Sequence, residues 1–190
     1  KYEKDENGVE TVTQVNSSAE ATLRQTGKSA LPKFYGGFTT SLSTYGFDFS
    51  AAFAYQIGGY TMDSNYQSLM GAGRIGTNWH KDAFDRWTPQ NKDSEVPRLQ
   101  NAYQEASSTS TRWLTDASYI SLRNLTVGYT FPERIAKKIS MQSLRIFVTG
   151  DNLWYLSRRK GLDVRQSFSG ATGFTYSALR TVSGGLTVTF

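Results

Sequence analysis

The sequence has 190 residues, no cysteine and a formal net charge of +5. The absence of cysteine excludes disulfides and thiolate metal sites, and no apolar run approaches the ~18 residues that a membrane helix needs. The basic excess is not concentrated on one helix and no nucleic-acid-binding motif is present, so we expect no nucleic-acid partner.

The first thirty residues are polar and weakly patterned. Asn7-Gly8 is a turn signal, and 9–15 alternates well enough to predict a short strand. We expect the rest of this stretch to be loop, with one helical turn near 19–23.

The first strong hairpin pattern spans 34–57. Two alternating runs flank Tyr45-Gly46, and the second run, 47–57, has the length of a tilted membrane strand. One face of that strand is aromatic and aliphatic, and the other is small or polar. This two-sidedness predicts lipid on one side and a polar lumen on the other.

Residues 58–117 show no sustained alternation and are rich in Gly, Asn, Ser, Asp and Gln. A connection of this length is unusual inside a compact domain. Short helices are predicted at 65–70 and at 79–87, the second with Asn78 as its N-cap.

Three further strands are predicted at 118–131, 143–152 and 179–190, separated by a short basic helix at 133–139 and a loop at 153–177. In the first of these strands, Leu125, Val127 and Tyr129 share one face, whereas Ile120 and Leu122 fall on the opposite face. Pro132 ends that strand because it cannot donate to a ladder. The last strand carries its apolar row to Phe190.

The connections between the five strands alternate between short and long: Tyr45-Gly46, 58–117, 132–142 and 153–177. Outer-membrane barrels have short periplasmic turns and long extracellular loops. The pattern therefore favours an all-β, antiparallel transmembrane β-barrel segment. A soluble β-sandwich carbohydrate-binding module is the alternative. Five strands cannot close a barrel, and the sequence shows no signal peptide, so we expect 1–190 to be the C-terminal portion of a longer protein.

Several stretches resemble the C-terminal region of SusC/RagA-type TonB-dependent transporters. They are LPKFYGGFTTSLSTYGFDFSAAFAYQIGG, NWHKDAFDRWTPQNKDSEVPRL, RWLTDASYISLRNLTVGYTFP, LRIFVTGDNLWYLSRRKGLD and the terminal LTVTF. The resemblance implies a barrel of about 22 strands with a plugged lumen, in the outer membrane of Bacteroidota, which are Gram-negative. It also implies the partners: the remaining barrel and plug, TonB, a SusD-like surface lipoprotein, and an oligosaccharide or peptide ligand for import.

Two sets of apolar residues receive roles from this interpretation. The terminal strand resembles the signal read by the barrel-assembly machinery, with Leu186, Val188 and Phe190 at its apolar positions. Outer-membrane lipid is expected to contact Phe47, Phe49, Phe53, Leu125, Val127 and Tyr129.

Aromatic side chains in or beside the expected external loops are candidates for contact with a ligand or with the lipoprotein. They are Trp79, Trp87, Trp113, Trp154 and Tyr155. The structural explanations are packing within the loops, packing on the lipoprotein and an interfacial aromatic girdle. These are favoured over ligand contact: Trp87 and Trp113 lie in strings typical of the family, and Trp154 and Tyr155 suit the girdle. The basic run Arg158, Arg159 and Lys160 is either a solvated loop or a contact for lipopolysaccharide phosphates.

Other motifs do not predict a reaction or a cofactor. Gly71, Gly73 and Gly76 spell G-x-G-x-x-G, but in a polar loop and not in a βαβ unit. His80 has only Asp82 and Asp85 at weak metal-ligand spacing. Asp48 and Asp151 are expected to be hydrogen-bonding partners in the lumen and not a glycosidase pair. We therefore expect neither an enzyme nor a cofactor.

Overall fold

The computed structural model describes residues 1–15, 17–23, 25–71, 76–99, 107–166, 170–173 and 176–190. The strands are β1 (Tyr2–Lys4), β2 (Glu10–Val12), β3 (Phe34–Thr44), β4 (Phe47–Ile57), β5 (Tyr60–Asp63), β6 (Leu114–Asp116), β7 (Tyr119–Thr130), β8 (Ser143–Ser157), β9 (Ala171–Thr172) and β10 (Thr181–Thr189). The α-helices are α1 (Ser64–Leu69) and α2 (Glu133–Lys138), and 3-10 helices span Ser18–Glu20, Lys81–Asp85, Thr111–Trp113 and Val164–Gln166.

The chain folds into two compact units. The loop unit comprises Lys1–Lys28, Met62–Leu114 and Ala171–Phe174, and the sheet unit comprises Ser29–Thr61, Thr115–Gly170 and Thr175–Phe190. In the sheet unit, five strands form one antiparallel sheet in the order β10-β8-β7-β4-β3. These are the five strands that alternation predicts. The prediction of an all-β architecture is confirmed, and the strands are mostly antiparallel, with β5 and β9 paired in parallel.

The β3–β4 hairpin closes through a two-residue turn. Both turn residues have positive φ, 48° at Tyr45 and 85° at Gly46. Positive φ at both central positions matches the twist of the flanking strands, and glycine adopts it without steric cost. The register from Phe34 opposite Ile57 to Thr44 opposite Phe47 is unbroken.

A β-bulge in β7 overturns one prediction about this strand. Phe53 of β4 lies opposite Leu122, whereas the preceding Ala52 lies opposite Asn124, so Arg123 is an extra residue. One inserted residue reverses which side chains face which way. Ile120 and Leu122 therefore lie on the same face as Leu125, and their predicted placement on the opposite face is wrong.

Two short connections leave one end of the five-stranded sheet, which we call the turn end: Tyr45-Gly46 and 131–142. The connections 58–118 and 158–180 leave the other end, the loop end. The strands β3, β4 and β7 have 11, 11 and 12 residues, at least the length that a tilted membrane strand needs. β8 is longer than predicted and continues through Trp154 and Tyr155 to Ser157.

The loop unit has a small core of its own. Trp113 is 2% exposed, its indole N–H donates to the Ser108 carbonyl at 3.0 Å, and its ring meets that of Tyr66 edge-on. Asp63 caps α1 by accepting the Tyr66 N–H. A helix forms near the second predicted position, but as the 3-10 helix Lys81–Asp85 capped by His80 and not by Asn78.

In the described residues, no helix has both the length and the hydropathy needed to cross a membrane. Gly73, the middle glycine of the G-x-G-x-x-G string, lies outside the described residues.

Candidate functional site

One face of the five-stranded sheet is apolar along its whole length. Directly paired residues of neighbouring strands project to the same face, so the register places large apolar side chains of all five strands together. They include Phe34, Phe38, Leu42, Phe47, Phe49, Phe53, Ile57, Ile120, Leu122, Leu125, Val127, Tyr129, Ile146, Val148, Trp154, Leu156, Val182, Leu186 and Val188. We call this surface the apolar face.

Many of these side chains are exposed, because no other part of the described chain packs on them. Their exposed fractions run from 39% at Phe49 to 69% at Leu186. An extended exposed apolar surface marks contact with a membrane or a partner, whereas a sheet of a soluble sandwich would bury these side chains against a second sheet. The six residues predicted to meet lipid all lie here, and so do Leu186 and Val188. Contact with lipid itself stays a prediction.

The opposite face, which we call the polar face, is hydrogen-bonded across its strands. Arg145 of β8 donates from Nε to Asp48 Oδ1 of β4 at 2.9 Å and from Nη2 to Asp48 Oδ2 at 2.5 Å. The two residues meet over Gly128, where a Cβ would lie 2.5 Å from both side chains. The guanidinium carbon also lies 4.9 Å from the centre of the Phe147 ring. A charged bidentate pair of this kind fixes its geometry.

Asp151, the second carboxylate singled out from the sequence, has its own partner. Its Oδ1 accepts from Asn124 Nδ2 at 2.8 Å. The hydroxyls of Thr126 and Thr149 are 2.9 Å apart in the neighbouring row. Asp48 and Asp151 each accept hydrogen bonds from a different residue. The predicted hydrogen-bonding role of these two carboxylates is therefore confirmed.

At the loop end, residues 162–165 fold onto the polar face. Arg165 stacks 4.6 Å over the ring of Tyr155 and donates from Nε and Nη2 to Asp163 at 2.8 and 2.7 Å. The Tyr155 hydroxyl accepts from the Val164 N–H and donates to the Leu162 carbonyl. We call Tyr155, Asp163 and Arg165 the clasp.

The clasp is buried, and Arg165 has a further partner outside it, since its Nη1 donates to Asn152 Oδ1 at 3.2 Å. The side chains of Arg165 and Asp163 are 8% and 7% exposed. Burial alone would raise the pKa of Asp163, but the hydrogen bonds and positive charge of Arg165, with a backbone hydrogen bond from Ala178, outweigh it and hold that pKa below its usual value. Leu162 and Val164 pack with Ala117, Tyr119 and Tyr155 beside it. The sequence interpretation missed the clasp because it placed 153–177 in one loop.

The predicted contact aromatics divide between the two units. Trp79 and Trp87 are surface residues of the loop unit, 42% and 37% exposed. Trp113 is in that unit's core, and its burial favours the packing interpretation. Trp154 and Tyr155 lie in β8, and the register puts Trp154 on the apolar face and Tyr155 on the polar face.

His80 has a structural role. Its Nδ1 accepts the Asp82 N–H at 3.2 Å, and its ring packs edge-on against Tyr66. The Tyr66 hydroxyl in turn donates to Asp82 at 2.8 Å. Among the described residues, no group of three or more His, Asp or Glu side chains is arranged to hold a metal ion.

Two curated relatives are similar to this chain in sequence. TonB-dependent receptor P3 of Formosa agariphila is 34% identical over 137 residues, which cover 72% of this chain and 13% of the relative. TonB-dependent receptor P26 of the same organism is 27% identical over 173 residues, covering 85% and 17%. The chain therefore spans less than a fifth of the length of either relative. No protein-family model matches it.

Solved structures of the RagAB peptide importer are similar to this chain in fold. The "closed-closed" state matches 99% of this chain and 20% of the importer chain, with a TM-score of 0.81 and 25% identity. The "open-open" state matches the same shares with a TM-score of 0.78. The likeness thus covers both units, although it accounts for only a fifth of the importer chain.

Proposed function

Since the chain belongs to the SusC/RagA-type TonB-dependent receptors, we propose that it forms the C-terminal strands and external loops of an outer-membrane importer. The remaining strands and the plug would come from the rest of that protein. Import would be driven through TonB and would involve a SusD-like lipoprotein over the external loops. The segment catalyses no reaction. Its strands form part of the barrel wall, and its loops form part of the external opening.

One observation carries the proposal: the two faces of the five-stranded sheet have opposite chemistry over at least nine residues of every strand. Membrane barrels need apolar side chains towards lipid and polar ones towards the lumen. On this basis the apolar face, including Phe47, Phe53 and Val127, meets lipid. The Asp48–Arg145 pair and the Asn124–Asp151 bond line the lumen.

A site-directed labelling experiment tests the orientation. Val148 and Thr149 are neighbours in β8 that lie on opposite faces. In the full-length importer reconstituted into vesicles, a fluorophore on Val148→Cys should be quenched by lipids that carry a quencher on the acyl chain. The same fluorophore on Thr149→Cys should not be. Equal quenching at the two positions would contradict the proposed orientation.

The proposed cargo is an oligomer, either a glycan oligosaccharide or a peptide. Trp79 and Trp87 are the predicted contact residues that the loop unit exposes, and flat aromatic faces suit sugar rings, which favours a glycan. The RagAB structures are those of a peptide importer. Calorimetric titration of the purified importer with oligosaccharide and peptide panels, repeated with Trp79→Ala and Trp87→Ala, would separate the two cargo classes.

We also propose that the end of β10 is the barrel-assembly signal. Leu186 and Val188 lie on the apolar face opposite Ile146 and Leu144, and Phe190 follows the strand and is 79% exposed. Deletion of Phe190 should lower the outer-membrane level of the full-length protein. Normal levels of the truncated protein would count against this role.

A further inference from the structure

A shallow groove lies on the sheet unit at the loop end. It has a volume of about 440 Å³ and is bordered by the ends of β4, β7 and β8. Tyr55, Ile120 and Leu156 are paired across these three strands and form one row of its floor. Ile57 continues the apolar lining beyond Tyr55.

The outer end of the groove is cationic. Arg158 lines it, directly after the end of β8. Its side chain is 79% exposed, and its Nη1 lies 3.7 Å from Asp116 Oδ2. Arg159 and Lys160 follow in the chain.

Asp116 neutralises this end only in part. Its Oδ1 accepts from the Ser118 N–H at 2.8 Å and from the Ser118 hydroxyl at 2.6 Å. Those bonds, together with the charge of Arg158, hold the pKa of Asp116 below its usual value. They tie Oδ1 to Ser118, whereas Oδ2 faces Arg158. The contact with Arg158 is longer than a hydrogen bond and lies at the surface, where ion pairs contribute little. Arg158 is therefore available to another anion.

We propose that this groove binds a phosphorylated lipid of the outer leaflet, with an acyl chain along Tyr55, Ile120 and Leu156 and a phosphate on Arg158. The inference rests on the proposed function, which places the apolar face in lipid. The groove has an apolar floor and a guanidinium at its outer end. A phosphorylated lipid has the matching arrangement, because its hydrocarbon chain is followed by its phosphate. Arginine suits phosphate because its planar fork donates two parallel hydrogen bonds.

The lipid that stays with the protein tests this site. The full-length importer would be purified from outer membranes in mild detergent, and native mass spectrometry would count retained phosphorylated lipids. Arg158→Glu should lower retention about tenfold, as expected for loss of a charged hydrogen bond and its replacement by a repelling charge. Leu156→Ala should lower it severalfold by shortening the floor.

Two variants at the turn end serve as matched controls. Arg134→Glu makes the same charge change at an exposed position of α2. Leu42→Ala makes the same truncation on the apolar face, where Leu42 is 62% exposed and Leu156 is 56% exposed. Both controls should retain lipid at the wild-type level.

The outcomes separate this site from the proposed function. Equal retention by Arg158→Glu and Arg134→Glu would overturn the site, and so would retention of lipids without phosphate or of inorganic phosphate alone. The membrane fraction and heat-modifiable migration of the wild-type protein are measured in parallel. A protein that is absent from the outer membrane would contradict the proposed function itself, whereas Arg158-independent lipid on a properly inserted protein would contradict only the site.

Discussion

The two faces of the five-stranded sheet differ in how far the chain covers their large side chains. On the polar face, Tyr119 and Tyr155 are covered at the loop end by Leu162 and Val164, and the clasp holds that cover in place. On the apolar face, residues such as Val148, Val182 and Leu186 stay exposed. The chain therefore covers the aromatic rings on the polar face, which would otherwise meet water. It leaves the side chains of the apolar face exposed, as expected if lipid contacts that face.

A charge introduced on each face gives the largest expected contrast. Val182 and Ser183 are neighbours in β10 on opposite faces, and they pair with Gly150 and Thr149 near the middle of β8. Val182→Lys should destabilise the barrel by about 2–4 kcal/mol, because a charge would face lipid near the midplane. Ser183→Lys should cost much less. Denaturant unfolding of the reconstituted full-length protein measures both.

An equal cost at the two positions would remove the difference between the faces. In that case the apolar face would not lie in hydrocarbon, and the sandwich alternative would regain support.

The second-largest expected effect on stability comes from a larger side chain at a crowded position of the polar face. Gly128 lies beneath the Asp48–Arg145 pair, and a Cβ there would meet both side chains at 2.5 Å. Gly128→Val should destabilise by about 1–3 kcal/mol, since overpacking displaces the pair. Gly184 is the matched control on the apolar face, because a Cβ there would come no closer than 3.8 Å to Phe147 O. Gly184→Val should be nearly neutral by the same unfolding measurement, and an equal loss in both variants would contradict the argument.

The clasp should depend on pH in a defined direction. The folded-state pKa of Asp163 is lowered, so its stabilisation is complete above the unfolded pKa of about 4 and is lost as pH falls through the folded value. Protection of the Val164 N–H from hydrogen exchange should therefore be constant from pH 7 to 5 and fall below about pH 4.

Removing the charge should reproduce this loss at neutral pH. Asp163→Asn should reduce protection of Val164 about fivefold, because the asparagine amide keeps only part of the bonding to Arg165 and a hydrogen bond contributes about 1 kcal/mol net. Asp151→Asn changes a carboxylate of the same face outside the clasp and should leave Val164 unaffected. A wild-type level of protection in Asp163→Asn would show that packing alone holds the segment.

The sheet could be predicted from the sequence because alternation is a local signal. The bounds of β4 agree with the alternating run, and the turn at Tyr45-Gly46 has a local cause in its backbone conformation. Five strands of this kind, with short and long connections in turn, are enough to predict the two faces.

Two of the remaining features depend on partners that are distant in sequence. The bulge at Arg123 is defined by the register against β4 and β8, so the strand alone assigned Ile120 to the wrong face. Asp48 and Arg145 are 97 residues apart, and no local pattern pairs them. The clasp is local, since Val164 is 9 residues from Tyr155 and Arg165 is 2 residues from Asp163. It was missed because Tyr155 was assigned to a loop, where its ring has no defined neighbours.

The smallest expected effect tests what covers the apolar face. Phe38 and Phe53 stack there across the β3–β4 pair, with ring centroids 4.8 Å apart. Phe38→Leu removes the aromatic pair and keeps an apolar side chain, so in lipid it should cost only about 0.5 kcal/mol. If Phe38 were packed in a protein core, the same change would alter a close-packed shape and cost more. Unfolding of Phe38→Leu in lipid, with Leu42→Ala for comparison, measures the difference. A loss well above about 1 kcal/mol would mean that protein, and not lipid, covers this part of the face.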